Sequence, residues 1–196
     1  SNIYFGISPN AFIAMSADKD LTALNVINVS SAISENNDLL FTQLTSFSVA
    51  GNYAYLCDAA QNTIYKYDVS GYTSGDPSIT NRRIYVDSIG GFGNALAQTK
   101  FNAPDLVYAN EAINRLFVHD RNNRCIKVYD TKLSFVRVRT FTAGSNSVAK
   151  AMAYNAVNQM MYLIIQNAAT NEHTLQLCDK DLQIIAQYNL TDSLES

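Results

Sequence analysis

The sequence has few of the residues that build metal and acid–base sites. Its 196 residues include only two histidines and no tryptophan, and only 16% of the chain is charged, against about 25% in average soluble domains. The net charge is −3, which argues against a nucleic-acid partner, because such binding depends on a basic surface. No apolar stretch reaches the ~18 uncharged residues of a membrane-spanning helix. The composition predicts no metal, no cofactor and no membrane association.

Cysteine is also scarce. Cys57, Cys125 and Cys178 form an odd set without a C-x-x-C spacing. This pattern disfavours a disulfide framework and a structural zinc site. We expect three small buried hydrophobic side chains, and the alternative is one disulfide with one free thiol.

The sequence is rich in tyrosine and contains an internal repeat. Its 12 tyrosines and 9 phenylalanines favour strands, since aromatic rings fit a pleated, half-buried surface. Four segments align on one aromatic position and on one aspartate, at intervals of roughly 50 to 60 residues, near the length of a four-stranded propeller blade. The aromatic column is Phe5, Tyr55, Phe117 and Tyr162, and the aspartate column is Asp18, Asp68, Asp130 and Asp179.

Each repeat contains short runs of β-branched and aromatic residues bounded by Gly, Asn, Ser or Pro, which predict four strands, a to d. The sequence therefore predicts an all-β fold, a β-propeller of four-stranded antiparallel blades. About four blades are visible in one domain, at approximately residues 1–28, 44–88, 103–142 and 147–190. An insertion over Ser70–Asn81 lengthens the interval after the second blade.

The first blade is predicted to be incomplete, because no strand a precedes Asn2. A propeller closes its ring to remove exposed sheet edges. We therefore favour a chain that is part of a longer one with further blades or domains. The alternative is a four-bladed ring closed by another strand.

The third repeat carries a family pattern. Gly90-Gly91-Phe92-Gly93-Asn94 leads to Phe101-Asn102-Ala103-Pro104, and Arg115–Asp130 follows. This region resembles the NHL repeat, in which a Gly-rich loop and F-N-x-P precede L-Y-V-A-D-x-x-N-x-R-I-x-V-F-D. The second repeat matches over Asn52–Asp68 without the Gly-rich loop, and the fourth has Ile165 where the pattern has its first Asp. The resemblance implies a β-propeller, most often six-bladed, in a family whose members bind proteins or RNA and whose relatives include enzymes.

The b–c turns and d–a loops of antiparallel blades lie on one side of a propeller, which we call the loop face. Loops on a rigid scaffold usually carry recognition, so we predict a binding surface there. Phe92 is either an exposed anchor or, as we favour, packed over the blade below. The candidate binding residues are Phe92, Asn94, Arg121, Asn122, Asn123 and Arg124.

Basic charge is concentrated in the third repeat. A phosphate, RNA or an acidic partner would suit this patch, but we favour solvated strand positions that alternate with the core. The basic residues are Arg115, Arg121, Arg124, Lys127, Lys132, Arg137 and Arg139.

The chain offers little for catalysis. His119 and Asp120 are adjacent on a strand and point to opposite faces, so they form no dyad. Strand a of the third repeat contributes one carboxylate, Asp105, and strand a contributes no histidine in any repeat. The aspartate that ends strand c is expected to accept backbone N–H bonds and to shape the c–d turn.

The sequence predicts a non-enzymatic, NHL-like binding or structural assembly module with a protein or carbohydrate partner. Self-assembly of several copies is an alternative to such a partner. The low charge favours an extracellular or virion-surface setting. Asn28 and Asn189 fit the glycosylation acceptor pattern. The alternatives are a lyase or lactonase with a ligand in the central channel, and RNA binding through the basic third repeat.

Overall fold

The computed structural model describes residues 2–8, 11–17, 24–30, 41–69, 85–142 and 146–190. Asp18 and the insertion at Ser70–Asn81 lie outside these ranges. The described residues form antiparallel strands, and among them no helix is long and apolar enough to cross a membrane.

Four sheets follow one another along the chain, each with its strands in sequence order, and we call them blades 1 to 4. The described residues of blade 1 form three strands, β1 (Asn2–Ser8), β2 (Ala11–Ala17) and β3 (Leu24–Ser30). Blade 2 comprises β4 (Leu44–Ala50), β5 (Tyr53–Asp58), β6 (Thr63–Asp68) and β7 (Tyr85–Gly90). Blade 3 comprises β8 (Pro104–Asn110), β9 (Arg115–Asp120), β10 (Cys125–Tyr129) and β11 (Phe135–Thr140). Blade 4 comprises β12 (Ser147–Asn155), β13 (Met160–Asn167), β14 (His173–Cys178) and β15 (Ile184–Asn189).

The prediction of an all-β fold built from four-stranded antiparallel blades is confirmed. The c–d turns also form as expected. Asp130 Oδ1 accepts hydrogen bonds from the backbone N–H groups of Lys132 (2.9 Å) and Ser134 (2.8 Å). Asp179 repeats this pattern two and four residues ahead. These carboxylates are therefore turn-forming groups.

The c–d turns of blades 3 and 4 each bury a leucine. In blade 4, Leu182 lies in the turn before β15 with φ 66° and is 1% exposed. Leu133 occupies the matching place in blade 3, with φ 68° and 6% exposure. The left-handed conformation is unfavourable for leucine, and burial of the side chain offsets this. Hydrophobic alternation alone does not distinguish this turn residue from the first residue of a strand.

The first strands of blades 2, 3 and 4 lie side by side, since β8 contacts both β4 and β12. Hydroxyl groups join their edges. Ser46 Oγ accepts the N–H of Val107 at 3.1 Å, and Ser48 Oγ accepts that of Ala109 at 2.9 Å. Such bonds satisfy polar groups that an open sheet edge leaves unpaired.

The apolar core lies between neighbouring sheets, as in other face-to-face sheet packings. The cluster between blades 2 and 3 includes Tyr55, Cys57, Ile64, Leu116, Val118 and Tyr129. The cluster between blades 3 and 4 includes Phe117, Ile126, Val128, Met161, Leu163 and Cys178. All three cysteines are buried and free, which confirms the expected hydrophobic role.

Candidate binding face

The segment that joins blade 2 to blade 3 folds back on itself, and we call residues 91–102 the Gly-rich loop. Phe92 and Phe101 form a parallel bridge, and Gly93 N–H donates to the Phe101 oxygen at 2.9 Å. A Cβ at Gly93 would lie 2.4 Å from Lys100 Cβ, and Gly91 has φ +95°. The fold of the loop therefore requires glycine at both positions.

One buried cation fastens this loop to blade 3. Lys127, on β10, is 0% exposed. Its Nζ donates to the backbone oxygens of Asn94 (3.3 Å), Ala97 (2.9 Å) and Lys100. Tyr129, two residues along the same strand, donates from its hydroxyl to the oxygen of Gln98 at 2.5 Å. Two side chains of one strand thus hold the loop along most of its length.

Asp120 balances the charge of Lys127. Its Oδ2 lies 3.0 Å from Lys127 Nζ, and both side chains are 0% exposed. Asp120 also accepts the backbone N–H of Asn102 and Nδ2 of Asn123, both at 2.7 Å. A buried ion pair is tolerated when further hydrogen bonds satisfy both partners, and here those bonds come from the loop and from the b–c turn.

The anchored loop displays two apolar side chains to solvent. Phe92 is 74% exposed and Leu96 is 82% exposed. The expectation that Phe92 packs over the blade below was wrong. Phe101 takes that position at 0% exposure, with its ring 6.1 Å from that of Tyr129 and 5.1 Å from Lys127 Nζ.

Of the other predicted binding residues, some form hydrogen bonds that stabilise the loop and the turn, and the rest are exposed. Asn94 Oδ1 accepts the N–H groups of Leu96 (3.0 Å) and Ala97 (3.2 Å), so it shapes the loop. Asn123 Nδ2 donates to the Gly93 oxygen at 2.8 Å and joins the b–c turn to the loop. Asn122 Nδ2 donates to Asn102 Oδ1 at 3.1 Å.

The remaining two predicted residues, Arg121 and Arg124, are exposed on the b–c turn. The structure thus brings all six residues into one loop-and-turn surface. Their binding role remains a prediction. Leu96 and Lys100 also belong to this surface, and no periodic pattern of residues singled them out.

Positive charge accompanies the apolar pair. Lys100 is exposed on the loop, and Arg121 and Arg124 are exposed on the adjoining turn. Arg121 Nη1 lies 3.7 Å from Asp105 Oδ2 with 59% of its side chain exposed. The pairing with Asp105 therefore leaves more than half of the Arg121 side chain exposed.

A histidine–carboxylate pair lies at the start of β8. His119 Nδ1 is 2.5 Å from Asp105 Oδ1, and Asp105 is the unpaired residue of a bulge between Pro104 and Leu106. A bulge changes the direction of a side chain. The alternation of residues along the strand therefore did not reveal that Asp105 meets His119. His119 Nε2 accepts the N–H of Ala149 in blade 4 at 3.4 Å. Both ring nitrogens are therefore engaged, and the histidine joins two blades.

Several basic side chains of the third repeat form contacts within the protein. Arg115 Nε lies 2.8 Å from Asp181 Oδ1 of blade 4, and Arg139 donates to Gln176 of the same blade. The expectation of solvated strand positions fits Arg137, which is exposed on β11, but was wrong for Lys127, which is fully buried. Lys132 is exposed in the c–d turn. Alternation along β10 does not reveal this, because blade 3 is covered on both faces.

Across the described part of the chain, no three His, Cys, Asp or Glu side chains are grouped to hold a metal ion.

Comparisons with known proteins agree with this architecture. No family model and no curated protein matches the chain. Solved structures do. The fold is a β-propeller. The chain is similar to hydrazine synthase of Kuenenia stuttgartiensis at 12% identity and TM-score 0.57, over 95% of this chain and 48% of that one.

Two further propellers are similar. A chain of a nidogen/laminin complex is 13% identical with TM-score 0.59, over 96% of this chain and 62% of that one. The periplasmic gluconolactonase of Pseudomonas aeruginosa is 12% identical with TM-score 0.58, over 95% of this chain and 52% of that one. At such identities the likeness shows the fold alone. The chain spans about half the length of the propellers it matches, and the NHL resemblance stays a prediction.

Proposed function

We propose that this propeller is a non-enzymatic recognition module that binds a protein partner through its loop face. The observation that carries the proposal is the exposure of Phe92 (74%) and Leu96 (82%) on a loop held by buried contacts. Exposed aromatic and apolar anchors of this kind dominate the energetics of protein interfaces.

The anchoring of the loop supports binding. Lys127 and Tyr129 hold its backbone at several oxygens, so the loop keeps one conformation in the free protein. A partner then loses less free energy to ordering the surface it meets. A mobile loop with the same side chains would bind more weakly.

The surrounding charge indicates the chemistry of the partner. Lys100, Arg121 and Arg124 are exposed on the same surface. Basic groups at the rim of an interface steer acidic partners and select against basic ones. The partner we propose is therefore a protein segment with an aromatic or aliphatic residue flanked by Asp or Glu.

The comparison with known structures is consistent with this proposal, since one similar propeller belongs to the nidogen/laminin complex. Catalysis through His119 and Asp105 is less well supported, because the Nε2 that would accept a proton already accepts the Ala149 N–H. The binding proposal requires no such free group.

Selection from a displayed peptide library, followed by affinity measurement on immobilised protein, tests the proposal. We expect enriched peptides to combine acidic residues with an aromatic or leucine. Phe92→Ala should weaken their binding by about tenfold or more. The matched control is Val157→Ala, because Val157 is 95% exposed on an a–b turn of the opposite side. Peptides that bind both variants equally, or no enrichment at all, would exclude this face as the binding site.

A further inference from the structure

One edge of the Gly-rich loop is paired within the protein, and the other is not. On the inner edge, Gly93 N–H donates to the Phe101 oxygen and Phe101 N–H donates to the Gly91 oxygen, both at 2.9 Å. The N–H and C=O groups of Phe92 point to the outer edge, because neighbouring residues of an extended segment direct these groups to opposite sides. Neither group of Phe92 forms a hydrogen bond with any residue that the structure describes.

The outer edge is open to solvent, since Phe92 is 74% exposed. An exposed edge with unpaired backbone groups is a template for an added strand, and several peptide-binding domains recognise extended segments in this way. Phe92 offers one donor and one acceptor, and a single residue of an antiparallel partner exchanges both bonds with it. The edge ends at Asn94, whose backbone oxygen turns inward to Lys127 Nζ at 3.3 Å.

The two faces of this edge carry different side chains. A Cβ at Gly93 would lie 2.4 Å from Lys100 Cβ, and a Cβ at Gly91 would lie 2.9 Å from Lys100 Nζ. The Lys100 side chain therefore runs along both glycines on one face of the segment. Successive side chains of an extended segment point to opposite faces, so the ring of Phe92 lies on the other face.

These two faces determine which side chains of an added strand meet the loop. The partner residue opposite Phe92 directs its side chain to the ring, and the residues before and after it direct theirs to the Lys100 face. Adjacent strands lie about 4.8 Å apart, so a carboxylate on that face is within reach of Lys100. Lys100 Nζ donates to the Gly90 oxygen at 2.9 Å, and it retains donors for a carboxylate because an ammonium group has three.

We infer that the loop face binds its partner by strand addition. An extended segment pairs with the backbone of Phe92, an apolar side chain of that segment packs on the ring, and Asp or Glu residues directly before and after it face Lys100. This inference rests on the proposed function and specifies the conformation of the partner. A helical segment does not fit, because its backbone groups are already paired within the helix.

Two synthetic peptides of equal composition test the alternation. The first is acetyl-Asp-Leu-Asp-Phe-Asp-Leu-Asp-amide, and the second is acetyl-Asp-Asp-Leu-Phe-Leu-Asp-Asp-amide, in which the phenylalanine has no acidic neighbour. Fluorescence anisotropy should show about tenfold tighter binding of the first peptide. Equal affinity of the two peptides would overturn strand addition and leave the proposed function intact, whereas binding of neither would overturn both.

A backbone ester tests the hydrogen bond directly. Phe92→phenyllactic acid keeps the ring and replaces the N–H by an ester oxygen, so it should weaken binding of the first peptide by about fivefold. Ala95→lactic acid is the matched control, because the N–H of Ala95 lies beyond the edge and forms no hydrogen bond with a described residue. Each ester also weakens the preceding carbonyl, of Gly91 or of Asn94, as an acceptor within the loop. Loss of binding in Phe92→Ala but not in the Phe92 ester would show a contact with the ring alone and would overturn strand addition.

The Lys100 face is tested with a third peptide, in which Asn replaces the two Asp residues beside the phenylalanine. In wild type this peptide should bind less tightly than the first, and Lys100→Met should remove most of the difference. Lys132→Met is the control, since Lys132 is exposed in a c–d turn on the opposite side of the propeller. The same difference in Lys100→Met as in wild type would overturn the placement of the acidic residues.

Discussion

Blades 3 and 4 share one repeat but differ in how they are covered. Strand β10 of blade 3 is buried at every residue, because blades 2 and 4 pack on its two faces. In the equivalent β14, four of six residues are half-buried, and only Gln176 and Cys178 are buried. The same pattern of strands and turns thus produces two degrees of burial, and the neighbouring sheets rather than the local sequence decide which occurs.

The two blades also differ in their buried polar groups. Asp120 and Lys127 form an ion pair in blade 3, whereas the matching positions of blade 4 hold Ile165 and Gln176. Blade 4 folds with the same register as blade 3 without the pair. We conclude that the blade does not require the ion pair, and that the pair serves the Gly-rich loop that it anchors.

The largest expected effect comes from breaking this pair. Lys127→Met leaves Asp120 buried without its cation and should lower the free energy of unfolding by about 3–5 kcal/mol. Gln176→Met, the matched change in blade 4, removes only neutral-group hydrogen bonds and one from Arg139, and should cost about 1–2 kcal/mol. Urea unfolding of both variants gives the comparison.

A double variant separates the loss of the ion pair from the cost of leaving one buried charge unpaired. Asp120→Ile with Lys127→Gln installs the residues of blade 4 in blade 3. It should recover part of the stability lost in Lys127→Met, since neither charge is then left unpaired. Amides of the Gly-rich loop should still exchange faster than in the wild type. Equal stability of Lys127→Met and Gln176→Met would contradict the proposed role of the pair.

The next prediction concerns the aromatic column. Phe117→Ala should cost about 3–5 kcal/mol of unfolding free energy, as for other buried aromatic residues. Tyr162→Ala should cost about 0.5–1 kcal/mol, because its side chain is only half-buried. Thermal unfolding of both variants measures the two losses. A loss for Tyr162→Ala as large as that for Phe117→Ala would contradict the difference in burial between the two side chains.

Local pattern was enough to predict most of the fold. The bounds of β4 (Leu44–Ala50) and β6 (Thr63–Asp68) follow from alternation and from the turn residues beside them. Asp130 and Asp179 accept the backbone bonds expected of them because those bonds span only two to four residues. Such short-range hydrogen bonds can be predicted from consecutive residues.

The features that prediction missed depend on distant parts of the chain. Phe92 and Phe101 lie in one loop, and contacts with Lys127 and Tyr129 decide which ring is buried. Asp105 meets His119 because a bulge inserts an unpaired residue into β8. Neither a bulge nor a neighbouring sheet leaves a periodic signal.

Thiol reactivity provides a further test of the difference between blades 3 and 4, with a smaller expected effect. Burial raises the pKa of Cys125 in blade 3 to about 12, and burial also raises the pKa of Cys178 in blade 4, although Arg139 opposes that rise. Only the thiolate reacts with iodoacetamide, so both should react slowly in the native protein, with Cys178 first. Peptide mapping of alkylation over time measures the order, and earlier labelling of Cys125 would contradict it.

The smallest expected effect lies at the contact between the two blades. Burial alone would raise the pKa of Asp181, but hydrogen bonds from Arg115 and Lys180 outweigh it and lower the pKa below its ordinary value of 3.8. A carboxyl group whose pKa is lowered by folding stabilises the native state above its unfolded pKa, and this contribution is lost as the pH falls through the folded pKa. Asp181→Asn should therefore cost about 0.5–1 kcal/mol near neutral pH.

That difference should shrink in acid, as the wild-type carboxyl takes up its proton. Urea unfolding of the wild type, Asp181→Asn, Arg115→Met and the double variant, repeated from neutral to acidic pH, isolates the coupling between the two side chains. Arg137→Met is the control for loss of a positive charge, because Arg137 is exposed and lies in blade 3 like Arg115. A coupling free energy that stays constant as the pH falls would show that Arg115 stabilises the blade contact by packing alone.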